Sequence, residues 1–311
     1  MLKISNISIN FDRPILRNVN LIIKKGELLG LVGKSGAGKS SLLKIIAGIL
    51  NPNSGQLTWN NEIMPPANEL LIPGYKNFSI VNQDFKLDLF HTVEENIRES
   101  ILAMPFLKRE KRIKELLNLL KLQKVAQVKA SIISGGEKQR LAIARAIAHS
   151  PDVLLLDEPF GHLDTVLKFK LAETIVQLKQ KENIAIILVS HDPQDILGLC
   201  DNITFLRNGK LSKKRSPKEI YYQLKNKAIA QMFGPYNEIE FEGSIQTFRP
   251  DEYELSEKSE IEVEFQYALF MGGFYQSYMK YKGHLIVLFA KDPLIDVKYI
   301  QIKKKATIWS D

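Results

Sequence analysis

Cysteine is all but missing from this 311-residue chain: Cys200 stands alone, which excludes an internal disulfide and suits a reducing compartment. Long apolar runs are missing as well. The longest, Ile184–Val189 and Leu285–Ala290, have the length of strands, far short of the roughly 18 residues a membrane-spanning helix needs. The opening stretch, MLKISNISIN, alternates polar and apolar side chains and has no unbroken apolar core of the signal-peptide kind. There is no internal repeat and no extended low-complexity tract. What remains is 45% hydrophobic and 25% charged, the composition of a globular chain with a full core. The length allows one large domain, or a standard one with a small appendage.

The net charge of +8 has two readings. A nucleic-acid surface would gather its basic residues with interleaved aromatics. Here the lysines are spread, and those from Lys108 to Lys129 sit between Glu110, Glu115 and apolar residues at helical spacing. That pattern fits a solvated helix face or a face turned to anionic lipid. No nucleic-acid partner is expected.

The chain's main signal is LLGLVGKSGAGKSSLL, Leu28 to Leu43. An apolar run leads into Gly33, Lys34, Ser35, Gly36, Ala37, Gly38, Lys39, Ser40 and Ser41, and a helix follows. The glycines let the loop curl its N–H groups inward at a helix N-terminus, forming a concave anion site. Lys39 then reaches the β- and γ-phosphates of a nucleotide, and the Ser40 hydroxyl can ligate Mg²⁺. A glycine turn that binds nothing is the alternative, and the spacing argues against it.

Around this loop the sequence predicts an α/β pattern. Short strands fill residues 1–32, and a helix from Ser40 to Leu50 turns Leu42, Leu43, Ile46 and Ile49 to one side. Strands at Gln56–Trp59 and Phe78–Val81 flank an irregular, proline-bearing connection. A charged helical block, residues 84–133, then interrupts the pattern: Thr92 and Glu95 cap one helix to about Ala103, and a second runs from Lys108 to Lys121. Val125 to Ile133 is ambiguous. Ser134 and Glu137 open the next helix. Val153–Leu156 and Ile184–Val189 read as strands buried on both faces of a parallel sheet, separated by a helix from Thr165 to Lys181. Asn208-Gly209 turns a hairpin, and Ser216 starts a helix ending near Gly234. Beyond Pro235 a two-residue alternation marks half-buried strands.

Chemistry gathers at strand ends. Asp157 follows four apolar residues, where a carboxylate can reach Mg²⁺ directly or through water. Glu158, next to it, can activate a water for in-line attack on a γ-phosphorus. A surface acid at the next turn is the alternative for Glu158. Val189-Ser190-His191-Asp192 ends the second buried strand, where open α/β sheets place ligands.

Taken in order, Gly33–Ser40, Gln83, Ser134-Gly135-Gly136-Glu137, Asp157-Glu158 and His191 resemble the ATPase subunit of ABC transporters over about residues 1–235. The stretch ISGGEKQRLAIARAIA is the most specific part. The resemblance implies a phosphate-loop cassette, a mixed sheet core with an inserted helical subdomain, binding ATP and Mg²⁺. It implies a head-to-tail dimer with a second copy or a paralogous cassette, two ATP molecules between them. Ser134, Gly135, Gly136 and Glu137 would face the γ-phosphate held by the other subunit. Gln83 would touch Mg²⁺ and the attacking water, and His191 the γ-phosphate. Phe11 would stack on adenine, though by itself it reads as a core or edge aromatic. Asp164 would belong to a loop that communicates across the dimer. Gly161-His162 departs from the usual Ser-Ala there, and Glu137 stands where many members have Gln.

The tail, residues 236–311, is expected to be a small all-β accessory module. Thr247-Phe248-Arg249-Pro250-Asp251 resembles the oligomer-binding-type module of importer ATPases for polyamines, ferric iron, sulfate and sugars. The expectation is therefore a cytoplasmic ATPase, peripheral on the inner face of the cell membrane. It would drive import through separate transmembrane permease subunits, and through them a substrate-binding protein. The rivals are an exporter ATPase, against which the tail argues, an ABC ATPase acting on nucleic acid or ribosomes, and a non-hydrolysing regulator. The last is opposed by the set Lys39, Asp157, Glu158 and His191.

Overall fold

A computed structural model describes residues 1–82, 85–161, 163–190, 192–223 and 226–303. Its chain contacts separate into two compact units, Met1–Pro217 and Lys218–Asp311. That division falls earlier than the 235/236 boundary expected from composition.

The first unit runs β1 (Leu2–Asn10), β2 (Pro14–Ile23), β3 (Leu28–Val32), α1 (Lys39–Ile46), β4 (Ser54–Trp59), β5 (Glu62–Ile63), β6 (Phe78–Val81), α2 (Val93–Glu99), α3 (Phe106–Leu119), α4 (Gly135–Ile147), β7 (Val153–Asp157), α5 (Thr165–Glu182), β8 (Ala185–Val189), α6 (Pro193–Leu199), β9 (Asn202–Arg207) and β10 (Lys210–Leu211). Two sheets form. One is antiparallel, in the order β2-β1-β4-β5; the other has the order β10-β9-β3-β8-β7-β6 and is parallel except at β10. β3 and β8 are buried at every residue, because covered parallel strands have no solvent face.

Helix α1 packs into a single core cluster with both sheets: Leu42, Leu43, Ile45 and Ile46 join Leu2, Ile4 and Leu21 on one hand and Val153, Leu155 and Ile187 on the other. Only a narrow polar stripe, Ser40, Ser41 and Lys44, is left outside the core, so Ile45 is buried where a one-sided pattern would expose it. The helix stops at Ile46 and leaves Ile49 40% exposed, correcting the expected Leu42/Leu43/Ile46/Ile49 face. The helical block between β6 and β7 buries Val93, Ile97, Ile113, Leu116, Leu120 and Ala130, among others. Its ambiguous stretch is a 3₁₀ turn at Gln123–Val125 and a bridge between Thr92 and Lys129. Cys200 is buried, its thiol pushed up by burial, and sits where a Cβ on Gly30 of β3 would touch its sulfur. It is a packing residue.

The second unit contains α7 (Pro217–Gln223, from the boundary residue onward), α8 (Lys227–Met232), β11 (Asn237–Phe241), β12 (Ser244–Phe248), β13 (Tyr253–Ser256), β14 (Ile261–Glu262), β15 (Glu264–Phe270), β16 (Tyr275–Tyr281), β17 (His284–Ala290) and β18 (Tyr299–Ile302). The single helix expected from Ser216 to Gly234 is two, because Asn226 caps α8 through the Ile229 N–H. The strands form a hairpin β11-β12, a sheet β13-β18-β14 and a meander β15-β16-β17. They share a core of Ile239, Phe248, Ile261, Met279, Leu288 and Ile300, among others. Asn237 ties the hairpin to β17, its amide bonding both the carbonyl and the N–H of Val287 at 2.7 Å.

Candidate active site

The carboxyl ends of β3, β8 and β7 lie side by side, since β8 pairs with both neighbours. The loop after β3 is shaped by close approach. A Cβ on Gly33 would sit 2.6 Å from the Leu206 carbonyl oxygen of β9. Gly38 has φ 101° and meets Ile15 of the β1–β2 hairpin, so a side chain there is barred by both conformation and space. Gly38 is also the N-cap of α1, and no side chain caps the helix. Its first N–H groups and dipole are therefore free to serve an anion.

Lys39 is 8% exposed. Its ammonium donates to the carbonyls of Gly33 at 2.7 Å and Lys34 at 3.1 Å. Burial lowers its pKa, while the fields of Glu158 and Asp157 act the other way. The structure thus brings the loop lysine and the two strand-end carboxylates into one electrostatic neighbourhood. Ser40 is exposed, and Asp157 and Glu158 are half-buried. A hydroxyl and a carboxylate are hard oxygen donors, the kind that suits Mg²⁺ alongside phosphate oxygens.

Glu158 has φ 54°, a left-handed conformation that is uncommon outside glycine, Asn and Asp. Its N–H donates to the Val189 carbonyl of β8 at 3.0 Å, and its carbonyl accepts from the Gly161 N–H at 3.2 Å. The turn is therefore fixed at both ends. Such a conformation, held by its surroundings at a strand end, is of the type that accumulates at functional sites.

At the end of β8, Ser190 is buried. Its hydroxyl accepts from the Asp192 N–H at 3.0 Å and donates to Asp195 at 3.2 Å. Lys168 of α5 pairs with Asp192 at 3.3 Å and with Asp195 at 3.7 Å. Burial and the Asp192 charge push the Asp195 carboxyl up. Sequence reasoning placed Ser190 at this strand end but did not single out Lys168 or Asp195; charged residues at helical spacing carry no mark of which strand end they brace.

The remaining candidates fall elsewhere. Ser134, exposed, caps α4: its hydroxyl and N–H both donate to Glu137 at 2.8 Å, and the Glu137 N–H donates back to Ser134 Oγ at 3.3 Å. Gly135 faces open space, whereas a Cβ on Gly136 would collide with Leu167 of α5. Asp164 caps α5 through the Leu167 N–H at 2.9 Å. Phe11 lies 60% exposed in the β1–β2 turn, on the hairpin whose Ile15 and Leu16 touch Gly38. Gln83, His162 and His191 lie outside the described residues.

A phosphate loop under a parallel sheet, with adjacent acids at the next strand's end, defines a nucleotide-hydrolysing cassette. Residues 16–161 match the family model for ABC transporters. The chain is 33% identical over 274 residues to the sulfate/thiosulfate import ATP-binding protein CysA of Pseudomonas syringae pv. tomato, covering 84% of this chain and 81% of that one. It is 34% identical to the spermidine/putrescine import ATP-binding protein PotA of Vibrio vulnificus over 77% of its own length, but spans only 63% of PotA. Among solved structures it is similar to the ATP-binding cassette MJ0796 in a dimeric, post-hydrolysis state bound to ADP and Pi. There the TM-score is 0.61 and the identity 29%, over 70% of this chain and 99% of that one. The chain belongs to the ABC transporter family: it is an ATP-binding, ATP-hydrolysing cassette using ATP and Mg²⁺.

Proposed function

We propose that the chain powers an importer, and that it works as a head-to-tail dimer with a second copy of itself or a paralogous cassette. The import reading is supported most by the relatives named for import, and its nucleotide chemistry by the buried Lys39 ammonium, set in the field of Asp157 and Glu158 beside an uncapped α1 N-terminus. In this reading residues Gly33 to Ser41 cradle the triphosphate and Phe11 stacks on adenine. Ser40, Asp157 and Gln83 would hold Mg²⁺, which would supply charge neutralisation to the phosphates. Glu158 takes the proton of the attacking water as its oxygen bonds to the γ-phosphorus and the bond to ADP breaks. Lys39 and His191 stabilise the charge that builds on the γ-phosphate. Ser134, Gly135, Gly136 and Glu137 offer the exposed start of α4 to the partner's nucleotide, and Asp164 belongs to the loop that signals between the two sites.

The same reading assigns the helical block to membrane subunits. Leu89, Phe90, Leu102, Phe106 and Leu107 are all exposed there, a concentration of apolar surface that fits docked helices of a permease. Among the described residues no helix is long and apolar enough to cross a membrane, so the cassette would sit peripherally on the cytoplasmic face, and a substrate-binding protein would act through the permease. Both CysA and PotA carry import in their names. The second unit would be an accessory module of the importer kind.

Glu158→Gln tests the core of this reading. The variant is expected to keep ATP affinity, to lose turnover by at least about 100-fold, and to elute as a dimer with ATP in size-exclusion chromatography. Wild-type turnover in the variant would remove Glu158 from the reaction, and a monomer with bound ATP would remove the shared interface.

A further inference from the structure

The chain's excess positive charge gathers in the helical block. Residues 102–132 hold eight lysines and arginines against two acids, and so carry most of the net charge of +8. The structure sorts these groups by partner. Both acids are taken by arginines: Glu110 by Arg98 of α2, with one bond at 3.2 Å, and Glu115 by Arg112 at 3.6 Å. Arg112 is itself turned inward, to Glu182 and to the carbonyls of Ile147 and Ala148. What is left over is lysine. Lys108, Lys111 and Lys114 are exposed, and among the described residues none of them forms an ion pair.

Helix α3 settles which way they face. It buries Ile113, Leu116 and Leu117. At about 3.6 residues per turn, Leu107, Lys111, Lys114 and Asn118 fall on the opposite side, one above another, and Lys108 borders them. The first turn sharpens the pattern. It has no acid and no side-chain cap, while Lys108 and Arg109 stand in it. Acids at that end stabilise a helix, because the macrodipole is positive there; basic groups add to the positive field instead, and a negative surface alongside offsets that cost. Leu102, Phe106 and Leu107, at the same end, are 60%, 64% and 82% exposed. Apolar side chains opening a lysine stripe match the boundary of an anionic bilayer, where ammonium groups meet phosphates and apolar groups enter the acyl edge. A nucleic-acid surface would interleave aromatics with the basic residues, and Phe106 is the single aromatic in residues 102–132.

We propose that the outer face of α3, with Leu107, Lys108, Lys111 and Lys114, rests on anionic phospholipid headgroups and gives the cassette a direct hold on the bilayer. Its placement rests on the reading above: the patch given to permease helices ends at Phe106 and Leu107, where the stripe begins, so a seated permease brings the lysines beside the lipid around it. The stripe's affinity for lipid needs neither permease nor ATP.

The test is co-sedimentation of the full chain, without nucleotide, with vesicles of phosphatidylcholine alone or with about 30% phosphatidylglycerol. The chain should bind the anionic vesicles at least about tenfold more tightly than the neutral ones, and should leave them as salt screens the charges. Each lysine at such a surface contributes about fivefold in affinity, so Lys108→Gln, Lys111→Gln and Lys114→Gln together should weaken binding about 100-fold. The ATPase rate of that variant in solution should match the wild type, and its melting temperature should be no lower. A control of equal charge, Lys280→Gln, Lys291→Gln and Lys298→Gln on the exposed surface of the second unit, should bind as the wild type does. Equal binding to both kinds of vesicle overturns the proposal. So does an equal loss in the two triple variants, which would make net charge the cause. RNA binding that is lost with the α3 lysines, in a chain that ignores the vesicles, overturns it as well. None of these outcomes bears on Glu158 or the dimer, and failure of the Glu158→Gln test would leave the vesicle result standing.

Discussion

The two compact units put their most distinctive basic residue to opposite uses. In Met1–Pro217, Lys39 is buried at a loop whose neighbouring N–H groups are uncapped, with two acids acting on it from the next strand. In Lys218–Asp311, Arg249 is buried to 3% exposure and its guanidinium donates to four backbone carbonyls. Nε donates to the Tyr221 carbonyl at 2.7 Å, Nη1 to Gly234 and Pro235 at 3.0 and 3.1 Å, and Nη2 to Ala230 at 3.1 Å. The plane lies 4.2 Å from the Tyr221 ring centroid. Its own N–H donates to Glu252, and Asp251 accepts from the Tyr222 hydroxyl. The Arg249-Pro250-Asp251 signal in the tail is thus an architectural clasp. It binds α7 and the end of α8 to the β module, which is why those helices partition with the strands that follow them. A buried cation waiting on a ligand and a buried cation already satisfied look alike as letters. The difference is whether backbone carbonyls converge on it from several elements.

Substitutions should separate these two uses. The largest effect is expected for Lys39→Ala: loss of ATP affinity by about 100-fold or more, read by titration with a fluorescent nucleotide, and no drop in melting temperature, since the removed charge is desolvated without a carboxylate bond to compensate it. Arg249→Met should do the reverse. Removing the guanidinium orphans four carbonyls, at a cost of about 3 kcal/mol or more in the second unit. That should appear as earlier denaturant unfolding and faster proteolysis beyond Pro217, with ATP affinity unchanged. A loss of nucleotide binding in Arg249→Met, or unchanged stability, would erase the contrast.

Much of the cassette was legible in the sequence because its signals are local. The strand–loop–helix at Leu28–Ile46, the capping pairs Thr92/Glu95 and Ser134/Glu137, and the buried strands before Asp157 and Ser190 all fall where composition places them. Other features depend on what lies across space. Ile45 is buried because α1 has a sheet on each side, which a one-sided periodicity cannot foresee. The break before α8 depends on one capping asparagine in a run with no glycine. The hydrogen bonds of Arg145 in α4 and Asn96 in α2 were invisible for a different reason: apart from the bond between them, their acceptors are backbone carbonyls, which every residue has. Asn96 does leave a trace, being an amide between Val93 and Ile97 on the buried face of α2.

The smallest expected effect lies where the helical block meets the sheet core, and it asks whether a half-buried basic group, His149, behaves as Arg249 does. His149 follows the end of α4, its Nε2 in a 3.2 Å hydrogen bond with Ser79 Oγ of β6. Arg112 of α3 donates to the carbonyls of Ile147 and Ala148 at 2.9 and 3.2 Å, and pairs with Glu182 at 3.1 Å and Glu115 at 3.6 Å. Burial, and then the Arg112 charge, hold the imidazole pKa below its ordinary value. Between that lowered value and the unfolded one near 6.5, the unfolded chain binds more protons than the folded chain, so stability falls as pH falls through this window. His149→Gln removes the titration and keeps a polar partner for Ser79. The melting temperature of the variant should therefore decline less than that of the wild type as pH drops below about 6.5, by on the order of a degree or two. Parallel curves would mean that His149 takes up its proton without leaving its place, as a group not confined by Arg112 would.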